Sequence, residues 1–310
     1  MSFLRGVSSV VLAAAMAVGG TGCIKKALLD GQIKGTRDGS AAVNTLHDWE
    51  TARTVAQAGI GQLEGMHLLA PQNTDALFLL TRAWAGLSFG FIEDDFEVAY
   101  EAGKDLDAAY HQRRTRAGFD RAIFYGVELL SHTADGFEDA RRNADTIRSW
   151  LVSNFTEVEQ AEDLLWVGFA WIGRVSAAKD DAALVGELYV GVEIIKRSIE
   201  LDERVQHGTG HTILGAYHAR TAQAELDDSK KHFDRALEIN EGKLLSTKLN
   251  YATRYYCAKR DKANHDKLLH EVLAAEDPLP EARLPNVISK RRARRYLGHK
   301  IWQENCGFGS

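Results

Sequence analysis

Apolar side chains fall at helical spacing along most of this chain. Between Asn264 and Ala275, Leu268, Leu269, Val272 and Leu273 make a stripe on one face, the pattern of a helix half sunk in a core. Two other segments are apolar on nearly every side: ALFLLTRAWAGLSFGF at residues 76–91 and LLWVGFAWIGRV at residues 164–175. Helices of that kind sit between neighbours in the middle of a stack. Polar residues mark the ends. Asn44 or Asp48 can cap a first long helix running to Ala70, which Pro71 stops, and Asn73 can cap a second from Thr74 to about Ile92. Glu93, Asp94 and Asp95 read as the start of a third, because carboxylates favour the positive amino end of a helix. Further helices are expected over residues 116–131 and 137–154, after a capping-box pattern at Thr156–Glu159, and from the Lys179-Asp180-Asp181 turn to near Leu201. Pro278 and Pro280 break the chain before a last helix over residues 285–303, leaving 304–310 as a loose tail. No run of alternating Val, Ile and Thr interrupts the series, so the fold class is all-α.

The stretch from His211 to Tyr256 adds a repeat signal. Gly215 lets a neighbouring helix approach a first helix, and Asp227-Asp228-Ser229 caps a second. Ser229, Phe233, Ala236 and Glu241 then follow at intervals of 4, 3 and 5 residues. That is the spacing of a tetratricopeptide second helix, where small residues make room for an aromatic ring and proline usually closes. Glu241 stands in place of that proline, and Gly242 supplies a left-handed stop. The spacing recurs at Gly59, Leu63, Met66 and Pro71, at Ala102, Leu106, Ala109 and Arg114, and at Gly191, Ile195, Ser198 and Glu203. A weaker copy lies at Thr146, Trp150 and Ser153. Successive units begin 43, 44, 45 and 38 residues apart. The expectation is one degenerate, tetratricopeptide-like array of about a dozen antiparallel helices over residues 40–303.

Composition changes little in this picture, but the amino terminus changes much. With 45% hydrophobic and 26% charged residues the 310-residue chain can build an ordinary core, and a net charge of −5 gives no drive toward nucleic acid. Residues 1–22 carry Arg5, an apolar run from Val7 to Val18, and small residues before Cys23, which is a secretory signal ending at a candidate lipidation cysteine. Gly20 departs from the Leu usual three positions before such a cysteine. Lipidated Cys23 would hold the protein on a membrane, with residues 23–39 as a polar tether. Cys257 and Cys306 either pair in an oxidising compartment or stay as thiols.

Several blocks together resemble the TatT family of periplasmic lipoproteins associated with TRAP transporters. They are Ala70-Pro71-Gln72-Asn73 with LFLLTRAWAGLSFGFIEDD, then LLWVGFAWIGRVSAAKDD, Gly208 to Tyr217, KHFDRALEINEGKLLSTKLNYATRYY, and LPNVISKRRARRYL. The resemblance spans roughly residues 42–302. It implies a partnership with a periplasmic solute-binding protein of a TRAP transporter. It also implies self-association as a homo-oligomer, a trimer above all, and an apolar cavity that binds or passes a small hydrophobic or organic-acid ligand. Ile24, rather than Asp, after Cys23 matches lipoproteins on the periplasmic face of the outer membrane. The alternative is a tetratricopeptide-like docking scaffold of the cell envelope with no small ligand.

Candidate residues follow from these readings. Trp84, Phe89, Phe91, Trp166, Phe169 and Trp171 either line a cavity between stacked helices or fill the core. Tyr217, Tyr251 and Tyr255 would add hydroxyls to such a cavity, or sit satisfied in the core. His207, His211 and His218 would share a face only on a continuous helix, which Gly208 and Gly210 argue against, so no metal site is assigned. Lys290, Arg291, Arg292, Arg294 and Arg295 read as a solvated helix face. No nucleophile elbow, phosphate loop, dinucleotide glycine pattern or zinc cysteine set occurs, so neither an enzyme nor a cofactor is expected.

Overall fold

Asp48 and Asn73 both begin helices. In the computed structural model, which describes residues 24–220 and 225–308, Asp48 accepts the Thr51 amide at 2.7 Å and Asn73 that of Ala76 at 3.0 Å. A helix over residues 24–39 (α1) precedes α2 (Trp49–Leu69) and α3 (Thr74–Glu101). Next come α4 (Asp105–Ser131), α5 (Ala144–Asn154), α6 (Ala161–Ser176) and α7 (Leu188–Leu201). The chain ends with α8 (Thr209–Arg220), α9 (Leu226–Asn240), α10 (residues 245–258), α11 (Lys262–Ala274), α12 (Arg283–Gly298) and α13 (Lys300–Asn305). Short helical turns join them, and every regular element among the described residues is helical. The fold is all-α.

Contacts between neighbouring helices run in opposite directions. Ser198 Oγ donates to the Ala161 carbonyl at 2.7 Å, while Ile195 meets Gly168 and Gly191 meets Ile172, so α6 and α7 are antiparallel. Any side chain on Gly168 would come within 2.8 Å of Ile195, which explains the glycine there. The α8–α9 pair carries the repeat pattern. Ser229, Phe233 and Ala236 are all fully buried, Ser229 Oγ donates to the Gly215 carbonyl at 2.7 Å, and the Phe233 ring covers Gly215. Phe233 then stacks on Tyr251 of α10, with ring centroids 4.7 Å apart. Glu241 itself turns left-handed at φ 54°, followed by Gly242 at φ 69°.

Not every expected unit survives. Gly191, Ile195 and Ser198 are buried, as are Leu63 and Met66. Leu106, however, is 88% exposed. Its four-residue match straddles the turn between α3 and α4, so Ala102 and Leu106 never share a helix face. Around Thr146 the buried positions are Ile147 and Leu151, which puts that copy out of register.

Boundaries also move. Glu93 starts no helix: α3 winds through a wider π turn at Ser88–Ile92, where the Glu93 amide reaches the Ser88 carbonyl, and continues to Glu101. Glu93 and Asp94 pair with arginines from α12, and Asp95 with Arg53 of α2, instead of serving a helix end. The 137–154 helix is interrupted before Asn143, which caps α5 with a Thr146 capping box. The capping box before α6 joins Glu157 and Gln160, one residue later than expected. The last helix breaks at His299.

Two segments assigned to loose chain are ordered. Residues 24–39 form α1, not a tether: Ile33 is fully buried among Leu63, Met66, Leu77 and Phe78. Arg37 bridges Asp75 at 2.9 Å and Asp163 at 3.1 Å with its guanidinium 3.9 Å from the Phe78 ring. Cys23 and the signal segment 1–22 lie outside the described residues. Near the other end Cys306 is disulfide-bonded to Cys257, and Phe308 packs edge-on to His265, so residues 304–308 are tied to α10 and α11.

α12 closes the stack on itself. Leu284 and Ile288 join the core of Trp49, Ile60, Leu87 and Phe91, and Arg283 donates to the Thr45 carbonyl at 3.2 Å. On its other side Asn286 accepts the Leu245 amide at 2.8 Å, and Ala293 and Tyr296 pack on Leu249 and Ala252. Aromatic and aliphatic contacts link α3 to α6, α6 to α7, α7 to α8, and α8 to α10 through the Thr212–Thr247 hydroxyl pair. The sequence α3, α6, α7, α8, α10, α12 and back to α3 is a closed circuit.

Candidate functional site

The joint between α3 and α12 overturns one sequence expectation. Arg292 and Arg295, expected on a solvated face, are only 5% and 7% exposed. α3 presents Asp94, Glu97 and Glu101 on one face, at helical spacing. Arg291 donates to Asp94 at 2.9 Å, and Arg295 donates to Asp94 and Glu97 and lies 3.0 Å from Glu101. Arg292 donates to Glu93 at 3.0 Å and to the Phe89 carbonyl, in the π turn, at 2.7 Å. Tyr296 adds its hydroxyl to Glu97 at 2.6 Å, and Trp302 its indole N–H to Glu101 at 2.6 Å. Of the basic run, Arg294 alone is exposed. Complementary acid and base rows on two helices were the signal available in the sequence. Their separation of about two hundred residues, as in the 198 between Glu97 and Arg295, hid it.

The nine cavity candidates do not converge on one wall. Phe89, Trp166 and Phe169 form a half-buried group where α3 meets α6, with Phe169 edge-on to Phe89 at 5.3 Å and to Trp166 at 5.8 Å. Arg292 covers the Phe89 ring at 4.3 Å, and Arg82 approaches Trp166 at 5.5 Å. Burial lowers the pKa of Arg82. Glu162, near Arg82, accepts from Trp166 and from Gln206 at 2.7 Å. The other candidates go elsewhere. Trp84 spends its indole N–H on Glu64 at 2.9 Å. Phe91 is buried against Trp49, and Trp171 against Phe137. Tyr217 belongs to the α6–α8 core, while Tyr251 and Tyr255 belong to the Phe233 cluster, with Tyr251 donating to Asp234 at 3.0 Å.

Two concavities lie around these cores. One of about 440 Å³ is bordered by Trp171, Phe124, Arg141, Arg174 and Glu187. The other, about 510 Å³, is bordered by Arg220, Thr253, Arg254, Arg260, Glu304 and the Cys257–Cys306 bridge. Arg254 sits in a second π turn, Tyr251–Tyr256 of α10. π turns are rare inside α-helices and frequently fall at functional sites. Sequence reasoning missed Arg220 and Arg254 as neighbours on this cavity because they stand on separate helices.

The histidines also regroup. Gln206 and His207 take left-handed conformations before α8 starts at Thr209, so His207 shares no face with His211 and His218. His211 Nδ1 instead lies 2.9 Å from His232 Nδ1, and His218 stacks on His232 with centroids 5.5 Å apart. Burial and the two neighbouring histidines push His232 down to about 4. Nitrogen or oxygen donors of His218, Glu225 and Asp228 all lie within 4.8 Å of one another, the residues best placed among those described to share a cation.

A family profile described as TRAP transporter T-component matches residues 46–301. No curated protein matches the chain.

Proposed function

The chain belongs to the TRAP transporter T-component family, and on that premise we propose a membrane-anchored periplasmic lipoprotein that partners a TRAP solute-binding protein and holds or passes its small organic ligand. The observation that carries the ligand-holding part is the closed circuit of helices. Where α3 and α6 of that circuit meet, Phe89, Trp166 and Phe169 are only partly buried and keep some of their surface open. An apolar wall with a few polar groups, here Arg82, Glu162 and Gln206, is the usual make-up of a small-molecule site. An open docking scaffold keeps a free helix face at each end of its groove, whereas α12 joins one end to the other. The anchor is lipidated Cys23 on the periplasmic face of the outer membrane, supported by the signal anatomy of residues 1–22 and by Ile24. Exposed Leu68, Leu69, Leu106, Tyr110 and Phe124 supply apolar surface for contact between copies.

The test is capture. A form without residues 1–23 is used as bait in periplasmic extract, and retained proteins are identified. A TRAP-type solute-binding protein among them supports the reading. Retention of envelope-assembly or cell-wall proteins, with no solute-binding protein, moves the function to a docking scaffold.

A further inference from the structure

We propose that His218, Glu225 and Asp228 bind a divalent transition-metal ion of the zinc type where α8 gives way to α9. His218 lies in the last turn of α8, Glu225 directly before α9, and Asp228 in the first turn of α9. One nitrogen or oxygen from each lies within 4.8 Å of the other two. Zinc bonds of about 2.0–2.2 Å to nitrogen and oxygen set tetrahedral donors about 3.3–3.6 Å apart. His218 Nδ1 and Glu225 Oε2, at 2.6 Å, have to open by about 1 Å, and no pair has to close by more than about 1.5 Å. The Glu225 side chain is 58% exposed and has room for that adjustment.

Helix capping does not account for the two acids. Glu225 holds the N-cap position of α9, yet its side chain accepts none of the helix amides. A shorter Asp, Asn, Ser or Thr is the residue that reaches them. Glu225 turns to His218 instead. Asp228, expected from the sequence to cap α9, gives Oδ1 to Lys231 at 2.8 Å. That lysine is 75% exposed, so the pair is screened by solvent and easily exchanged. His218 is held more firmly, with 13% of its side chain exposed. His232 stands one turn after Asp228 on the same face of α9, and its ring lies parallel to that of His218 within 7°. His211 Nδ1 lies 2.9 Å from His232 Nδ1 in turn. Neighbours of this kind around a ligating imidazole fix the plane of its ring.

One imidazole nitrogen with two carboxylate oxygens favours a first-row transition metal over magnesium or calcium, whose shells are built from oxygen. Three protein donors leave a coordination position for water. The cation takes the place of the proton in the His218–Glu225 hydrogen bond, and that proton passes to solvent. The bound ion fastens the end of α8 to the start of α9. None of its ligands belongs to the Phe89–Trp166–Phe169 group, so the site is separate from the ligand-holding reading. The sequence pairs His218 with other histidines upstream, whereas its metal partners are carboxylates of the next helix.

The test is calorimetric titration of the purified full chain, stripped with chelator, with zinc chloride and then with magnesium and calcium chloride. The expected result is saturable zinc binding with proton release, no saturable response to magnesium or calcium, and a Tm that rises with zinc concentration. His218→Gln lowers zinc affinity by more than about a hundredfold, since groups outside the ligand set already contribute about ten- to a hundredfold. Glu225→Gln, at an exposed position, lowers it by about tenfold or more and covers the case in which the His218 variant does not fold. His270→Gln, at an exposed histidine of α11, leaves it unchanged and sets this site apart from zinc held by any surface histidine. Absence of saturable zinc binding, or zinc affinity unchanged in both His218→Gln and Glu225→Gln, overturns the site. Magnesium or calcium binding as tight as zinc overturns the role given to the His218 nitrogen.

Discussion

Replacing Arg295 by methionine tests how α12 is held. The side chain is 7% exposed and its three nitrogens serve Asp94, Glu97 and Glu101, themselves nearly buried. Methionine fills much of the space but leaves three carboxylates short of a partner. Asp94 keeps Arg291 at 2.9 Å, and Glu97 keeps Tyr296 and the more distant Arg292 at 3.8 Å, so the loss is partial. Breaking one side of a buried ion pair costs about 3–5 kcal/mol. For a domain of this size that is a fall in Tm of about 6–10 °C, at about 2 °C per kcal/mol. Urea unfolding followed by circular dichroism at pH 8 and pH 5 gives the magnitude and its origin. Burial already pushes the Glu97 carboxyl up, and losing Arg295 raises it further above its unfolded value, so in the variant the folded state gains a proton first as pH falls. The deficit is therefore full at pH 8 and smaller at pH 5. A loss below about 1 kcal/mol, equal at the two pH values, would refute the claim that these carboxylates are dry and depend on Arg295.

Other outcomes follow from single features. Phe233→Ala removes a fully buried ring from between Gly215 and Tyr251 and should cost about 3–5 kcal/mol in the same assay; a loss within error would take Phe233 out of the core. His232 has its pKa lowered from 6.5 to about 4, so the unfolded chain binds the proton more readily between those values. Stability from this group is present above pH 6.5 and declines as pH falls toward 4, and His232→Gln should flatten that part of the profile. Reducing the Cys257–Cys306 bridge frees a loop spanning 49 residues and should lower stability by about 2–4 kcal/mol, read by urea unfolding with and without reductant. Cys23→Ala should leave a helical protein that no longer fractionates with membranes, because the proposed lipidation site precedes α1; continued membrane association would remove the lipid from the account.

Local rules carried the sequence reading where the partners were local. The Asp48 and Asn73 caps act on amides three residues ahead, and both formed. The Ser229–Phe233–Ala236 spacing was legible because one helix face decides it, and all three side chains are buried. The same four-residue test failed at Ala102, where residues of small size fell by chance across a turn. The role of Glu93 to Glu101 could not be read locally, since an acid run at a helix start and an acid row facing distant arginines look alike in sequence. Arg292 and Arg295 were misplaced for the converse reason: a basic run carries no mark of burial. Of the aromatic candidates, Phe89, Trp166 and Phe169 came together because α3 and α6 are neighbours. The tyrosines did not join them, as their helices pack around Phe233.

The distance along the chain between α3 and α12 has a consequence for how the protein is made. Residues in the α3 acid row are synthesised before the arginines that neutralise them, with a sequence separation of 198 between Glu97 and Arg295. Until α12 arrives, Asp94, Glu97 and Glu101 can stay charged only by remaining in water, which keeps that flank of α3 from being covered prematurely. The early hairpins can form from short-range contacts, while the circuit as a whole waits on one long-range event. A chain cut before residue 283 would therefore halt as an open row of helices with a hydrated acidic edge.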